Sequence, residues 1–102
     1  MNEANDESQT TEWQRLRAIV HGRVQGVGYR YETVIEAHSL GIVGYVRNRA
    51  DRTVEVVAEG PTSLLSQFLA WLHRGPPQAH VTRVDVSWQT PLHDIDDFEV
   101  RW

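Results

Sequence analysis

A chain of 102 residues is the size of one domain with a single hydrophobic core, and it contains no cysteine. Disulfides, thiolate metal sites and cysteine nucleophiles are therefore excluded. The formal charge of −4 resides wholly in residues 1–12, so residues 13–102 sum to zero, a poor balance for a general nucleic-acid binder.

No apolar run approaches the roughly 18 residues of a membrane span. MNEANDESQTTE (1–12) has neither a basic n-region nor an apolar h-region, so it is not a secretory signal. It reads as a disordered acidic tail ahead of one domain over 13–102. The expectation is a cytoplasmic monomer with no membrane and no nucleic-acid partner.

RLRAIVH (15–21) alternates, with Leu16, Ala18 and Val20 facing one way and Arg17, Ile19 and His21 the other, as a half-buried strand does. A glycine-rich loop follows. Tyr31, Val34, Ile35 and His38 then fall on one helical face, and Gly41 is placed to end that helix. GYVRN (44–48) and TVEVVAE (53–59) read as a hairpin joined by a turn at 50–53. In its second strand Val54, Val56 and Ala58 oppose Glu55, Val57 and Glu59. Pro61 opens a second helix with a stripe of Leu64, Leu65, Phe68 and Leu72, ending before Gly75, Pro76 and Pro77. VTRVDVSW (81–88) alternates again, and in FEVRW Phe98, Val100 and Trp102 alternate to the last residue.

The order strand, helix, strand, strand, helix, strand, strand is that of an α+β, ferredoxin-like split βαβ sandwich. It predicts an antiparallel sheet with two helices on one face and a largely solvated opposite face.

Charge is divided within the domain. Residues 15–52 hold seven arginines against three acids, and residues 53–102 hold three against seven. The positive half contains GRVQGVGYR (22–30), where an anion site would lie. Successive backbone N–H groups in a glycine-rich turn can converge on one point. A following helix adds free N–H groups and the positive end of its dipole. Arg30, at that helix's start, could close the site with a planar, bidentate contact. The spacing is neither a P-loop nor the dinucleotide fingerprint. On spacing alone a second reading stands equally: Gly26 and Gly28 merely shape a turn, and Arg30 pairs with Glu36 or another acid at the surface.

Asn48 ends a strand beside which the loop could lie, and its amide could orient a water. Spacing alone favours the plainer role of starting the turn over 48–52. The five histidines show no ligand spacing, so no metal is expected. His38 reads as a packed or edge histidine. Asp94, Asp96 and Asp97 read as a solvated loop, and the tryptophans and phenylalanines as core.

GRVQGVGYR, followed by GYVRN, VEVVAEGP, GPPQAHV and the closing FEVRW, resembles the acylphosphatase family from about Leu16 to Arg101. The resemblance implies a ferredoxin-like sandwich that hydrolyses acyl phosphates to a carboxylate and inorganic phosphate, without metal or cofactor. Carried onto this chain, it implies a backbone phosphate cradle over Arg23, Val24, Gln25, Gly26, Val27 and Gly28. The essential arginine matches Arg30 and the water-orienting asparagine matches Asn48. Two positions depart from the pattern. Glu32 stands where many relatives carry an aromatic residue, and Arg52 where a glycine commonly occupies the hairpin turn. Glu32 bears on the site's potential if it points toward Arg30.

A mixed anhydride leaves as a carboxylate that needs no proton. A site without an evident general acid therefore suits it, with catalysis resting on positioning and charge stabilisation. The alternative is a module that holds phosphate or carbamoyl phosphate without turnover, as such domains do inside larger maturation proteins. The end of the chain at residue 102, with no zinc-finger cysteines, weighs toward the enzyme. A ferredoxin-like regulatory or RNA-binding domain is disfavoured by neutral charge and by the absence of spaced strand aromatics.

Overall fold

A computed structural model of the chain describes residues 12–102. The expected disordered tail lies outside them except for Glu12, whose carbonyl accepts hydrogen bonds from the Thr62 amide at 2.9 Å and the Thr62 hydroxyl at 3.0 Å.

Seven elements follow in order: β1 (Trp13–Arg23), α1 (Tyr29–Leu40), β2 (Val43–Asn48), β3 (Val54–Pro61), α2 (Thr62–Arg74), β4 (His80–Gln89) and β5 (Phe98–Arg101). The strands form one sheet in the order β4-β1-β3-β2-β5. All neighbours are antiparallel except β5, which runs parallel to β2. β3 lies between β1 and β2, which α1 connects, so the arrangement is the expected split βαβ with a fifth strand added at one edge. Among the described residues no helix is long and apolar enough to cross a membrane.

Leu16, Ala18 and Val20 of β1 and Val54, Val56 and Ala58 of β3 are fully buried, as their alternation predicts. Leu65, Phe68 and Leu72 of α2 pack in the same core. Phe68 meets Phe98 of β5 edge to face at 5.7 Å, so the last strand is tied to the second helix through the core.

Three expectations need correction. Of the expected face of α1, only Val34 packs partly against the core, and Tyr31, Ile35 and His38 do not. The buried residues of α1 are Tyr29, Thr33 and Ala37, one turn apart, while Tyr31 and Ile35 are exposed. The Tyr29 hydroxyl donates to the Leu72 carbonyl at 2.6 Å and Thr33 Oγ1 donates back to the Tyr29 carbonyl at 2.7 Å. Polar groups satisfied in this way are buried without penalty, and this lets the helix turn a weakly apolar face inward.

The outer sheet face is also not largely solvated at its centre. Glu55 and Glu59 of β3 are buried there. Glu55 accepts from Arg17 at 2.8 Å and Arg47 at 2.6 Å. Glu59 accepts from Arg15 at 2.6 Å and from the Leu92 and His93 amides at 2.8 and 3.0 Å. Arg17 and Arg47 close over Glu55, and Arg15 with the loop between β4 and β5 closes over Glu59.

Not all the large aromatics are core. Trp88 lies on the edge strand β4 and is 44% exposed. β5 ends at Arg101, and Trp102 beyond it is 91% exposed.

Candidate active site

β1 pairs regularly with β4 until a bulge at His21/Gly22, and Arg23, its last residue, sits opposite His80. The chain then leaves the sheet through Val24, which is buried in the core. Gly26 and Gly28 both take left-handed backbone, φ 75° and 82°. A Cβ at either would touch nothing within 4 Å, so conformation, not space, demands glycine here. Gly28 is the N-cap of α1 and offers no side chain to cap it. Among the described residues, no hydrogen bond within the protein takes the N–H of Gln25, Gly26, Val27 or Gly28. These free donors lie beside the positive end of the α1 dipole.

Arg30 is half-buried in the first turn of α1. The reading that made it a surface ion pair is not met: among the described residues it has no acidic partner. Arg15, Arg17, Arg47, Arg49, Arg83 and Arg101 each have one. Instead its guanidinium carbon lies 4.6 Å from the centroid of the Trp102 ring, an interaction worth about 0.5–1 kcal/mol when exposed. Arg30, Trp102, Val24, Gly26, Gly28, Tyr29, Tyr31 and Val100 line one pocket of about 240 Å³.

Glu32 does not enter that pocket. It lines a neighbouring groove with Val27, Pro76, Pro77 and Gln78, and Gly26 and Gly28 line both. Among the described residues no carboxylate side chain lines the Arg30 pocket.

Asn48 is the last residue of β2, paired with Val54. Its side chain does not build the turn that follows. Asp51 does so, accepting from the Thr53 amide at 3.1 Å and the Thr53 hydroxyl at 2.6 Å. Among the described residues, Asn48 Oδ1 is buried without a hydrogen-bond partner. A buried carbonyl oxygen in that condition is costly and rare in a folded chain. It is not among the residues lining the Arg30 pocket.

The glycine loop and the hairpin are joined by a residue whose side chain the sequence did not single out. Gln25 Nε2 donates to the Arg49 and Thr53 carbonyls, each at 3.0 Å. This fixes the loop against the turn that begins after Asn48. Tyr29, directly after the N-cap, anchors the start of α1 to the end of α2 through Leu72. Burial raises the Tyr29 hydroxyl pKa, so that group stays protonated and donates. No spacing rule would find these ties, because both depend on tertiary neighbours. Trp102 was missed for the same reason. Its place in the alternation pointed to the core.

Loop donors and an arginine that have no partners among the described residues, beside a dipole's positive end, are the chemistry that suits a tetrahedral anion. Among the described residues no group of three or more histidine, aspartate or glutamate side chains could hold a metal ion.

The acylphosphatase family model matches residues 16–100. An acylphosphatase of Thermococcus kodakarensis is 47% identical over 86 residues, covering 84% of this chain and 93% of that protein. One of Cupriavidus pinatubonensis is 51% identical over 81 residues, covering 79% and 88%. The crystal structure of acylphosphatase from Bacillus subtilis superposes with a TM-score of 0.84 at 38% identity, covering 87% of this chain and 99% of that one. With both sequence and fold matched over nearly the whole described region, the chain belongs to the acylphosphatase family, hydrolases that act on phosphate-containing acid anhydrides.

Proposed function

We propose that this chain hydrolyses acyl phosphates to a carboxylate and inorganic phosphate at the loop over Arg23–Gly28, with Arg30 and Asn48 as the catalytic side chains. One observation carries the assignment of roles: the unpaired Arg30 guanidinium and the glycines of the donor-rich loop line the same pocket.

The loop N–H groups and Arg30 hold the phosphoryl oxygens. Charge that develops on them in the transition state meets donors already in place, which is where such a site gains most. Asn48 Oδ1 accepts a hydrogen bond from the attacking water. Its otherwise unpartnered state supports that role. Water oxygen bonds to phosphorus as the bond from phosphorus to the acyl oxygen breaks. The acyl oxygen leaves with the electron pair as carboxylate, and a phosphoryl oxygen takes the water's proton. No cofactor is needed, and on this reading the enzyme works as a cytoplasmic monomer.

The test is hydrolysis of acetyl phosphate and benzoyl phosphate by the purified protein, before and after exhaustive chelation, with inorganic phosphate as inhibitor. Turnover should survive the chelator, and phosphate should compete with substrate. Phosphate binding without turnover would reduce the site to a holding module.

A further inference from the structure

We propose that Trp102 is the platform for the acyl group, and that the site favours acyl phosphates whose acyl part is aromatic or otherwise apolar. The inference rests on the acyl phosphate reading above and adds to it a substrate class and a specificity-determining residue.

Single exposed hydrophobic side chains are ordinary. Here two large ones, Trp102 at 91% and Tyr31 at 68% exposure, converge with Val100 on one pocket. That pocket also contains Arg30, and among the described residues no other charged side chain lines it. An apolar wall joined to one cation suits a ligand with an anionic head and an apolar body. A second carboxylate on the acyl part would find no cation of its own.

The geometry of displacement points the same way. The attacking water and the leaving group take opposite sides of phosphorus. Asn48, assigned to the water, is outside the pocket, whereas Val24, Gly26, Gly28 and Arg30, assigned to the phosphoryl group, are at its wall. The pocket is therefore left for the acyl side. Trp102 follows the last strand directly, and its ring lies 4.6 Å from the Arg30 guanidinium that is assigned to the phosphoryl group.

The experiment compares kcat/KM for benzoyl and acetyl phosphate in wild type, Trp102→Ala and Trp102→Phe. Wild type should favour benzoyl phosphate. Trp102→Ala should lower the benzoyl-to-acetyl ratio about tenfold, the scale on which a pocket discriminates by apolar groups, mainly through KM for benzoyl phosphate. Trp102→Phe, which keeps a ring, should retain most of the ratio. An unchanged ratio in Trp102→Ala overturns the proposal. If both substrates then suffer equally, the ring acts only through Arg30. If neither suffers, the ring is idle. A wild type that favours acetyl phosphate overturns it as well. Failure of wild type on both substrates would instead sink the acyl phosphate reading, and this inference with it.

Discussion

The side-chain amide of Gln25 donates to the Arg49 carbonyl at 3.0 Å, and thereby ties the glycine loop to the turn that follows Asn48. Its second bond, to the Thr53 carbonyl, closes the other side of the same turn. Gln25→Ala should cost about 1–3 kcal/mol, two net hydrogen bonds with carbonyls left behind. Gln25→Glu, nearly the same shape, should be worse at neutral pH, because a carboxylate would face two carbonyl oxygens. Thermal unfolding of both variants checks the order. Catalysis should fall with the tie, since the loop and Asn48 lose their common support. Full kcat/KM in Gln25→Ala would show that each holds its place alone.

Asn48→Ala separates a water-orienting residue from a turn residue. The turn already has its side-chain cap in Asp51, and among the described residues Asn48 Oδ1 has no partner to lose. Stability should therefore change by less than about 1 kcal/mol. The rate should fall roughly 10²-fold in kcat, the scale of one preorganised transition-state interaction, with little change in phosphate inhibition. Lost phosphate affinity with kcat preserved would make Asn48 a binding residue.

The outer-face carboxylates set the acid limit of the fold. Burial pushes the Glu59 pKa up, but the Leu92 amide, the Arg15 guanidinium and the His93 amide outweigh it and hold the group below the ordinary range. For Glu55 burial is likewise opposed and overcome, by Arg17 and Arg47. A carboxyl with a depressed folded pKa contributes stability above its unfolded value, about 4.3 for Glu. That stability is lost as pH falls through the folded value. Urea midpoints should thus decline steeply below about pH 4. Glu59→Gln should be destabilised at neutral pH by about 3 kcal/mol, leaving Arg15 only the exposed Asp94 at 4.0 Å, and should show a shallower acid slope. An undiminished slope in this variant would assign the acid sensitivity to other carboxylates.

Much of the molecule was legible because its signals are local. Leu16, Ala18 and Val20 reveal β1 by alternation, and Leu65, Phe68 and Leu72 reveal α2 by helical spacing. Gly26, Gly28 and Arg30 mark the loop and helix start on which the candidate site is built. The illegible parts depend on partners distant in sequence. Thr33 and Ala37 carry too little apolar signal to identify the buried face of α1, and only the Tyr29–Leu72 bond explains it. Arg15 and Glu59 are 44 positions apart and meet because β1 and β3 pair in that register. Trp102 fits a strand alternation, yet β5 stops one residue earlier and the ring turns to Arg30.

Arg52 tests a departure from the family pattern. It adopts left-handed backbone, φ 76°, in the hairpin turn where a glycine was expected. The turn therefore keeps a geometry suited to glycine and imposes it on an arginine. Left-handed backbone costs a non-glycine residue about 1–2 kcal/mol, while glycine gives the unfolded chain freedom worth about 0.4–1 kcal/mol. Arg52→Gly should accordingly be neutral or stabilising by up to about 1.5 kcal/mol. Arg52→Val, β-branched, should lose at least about 1 kcal/mol. Denaturation curves with the order reversed would show that the turn relaxes out of the left-handed region.

Arg30 gives the sharpest test of the mechanism. Lysine keeps the charge but loses the planar, two-pronged donor. Arg30→Lys should therefore fail nearly as badly as Arg30→Ala, by at least about 10²–10³ in kcat/KM, the range for one preorganised donor at a developing oxyanion. The fold should tolerate both changes. Arg30 has no acidic partner among the described residues, and what it gives up is its stacking on an exposed Trp102. Removing that stacking should shift stability by no more than about 1 kcal/mol. Measuring kcat/KM together with a denaturation curve separates the possibilities. Near-wild-type turnover in Arg30→Lys would reduce the guanidinium to a point charge. Unfolding of either variant would make Arg30 a structural residue, and its position at the head of α1 would then have to be explained without the substrate.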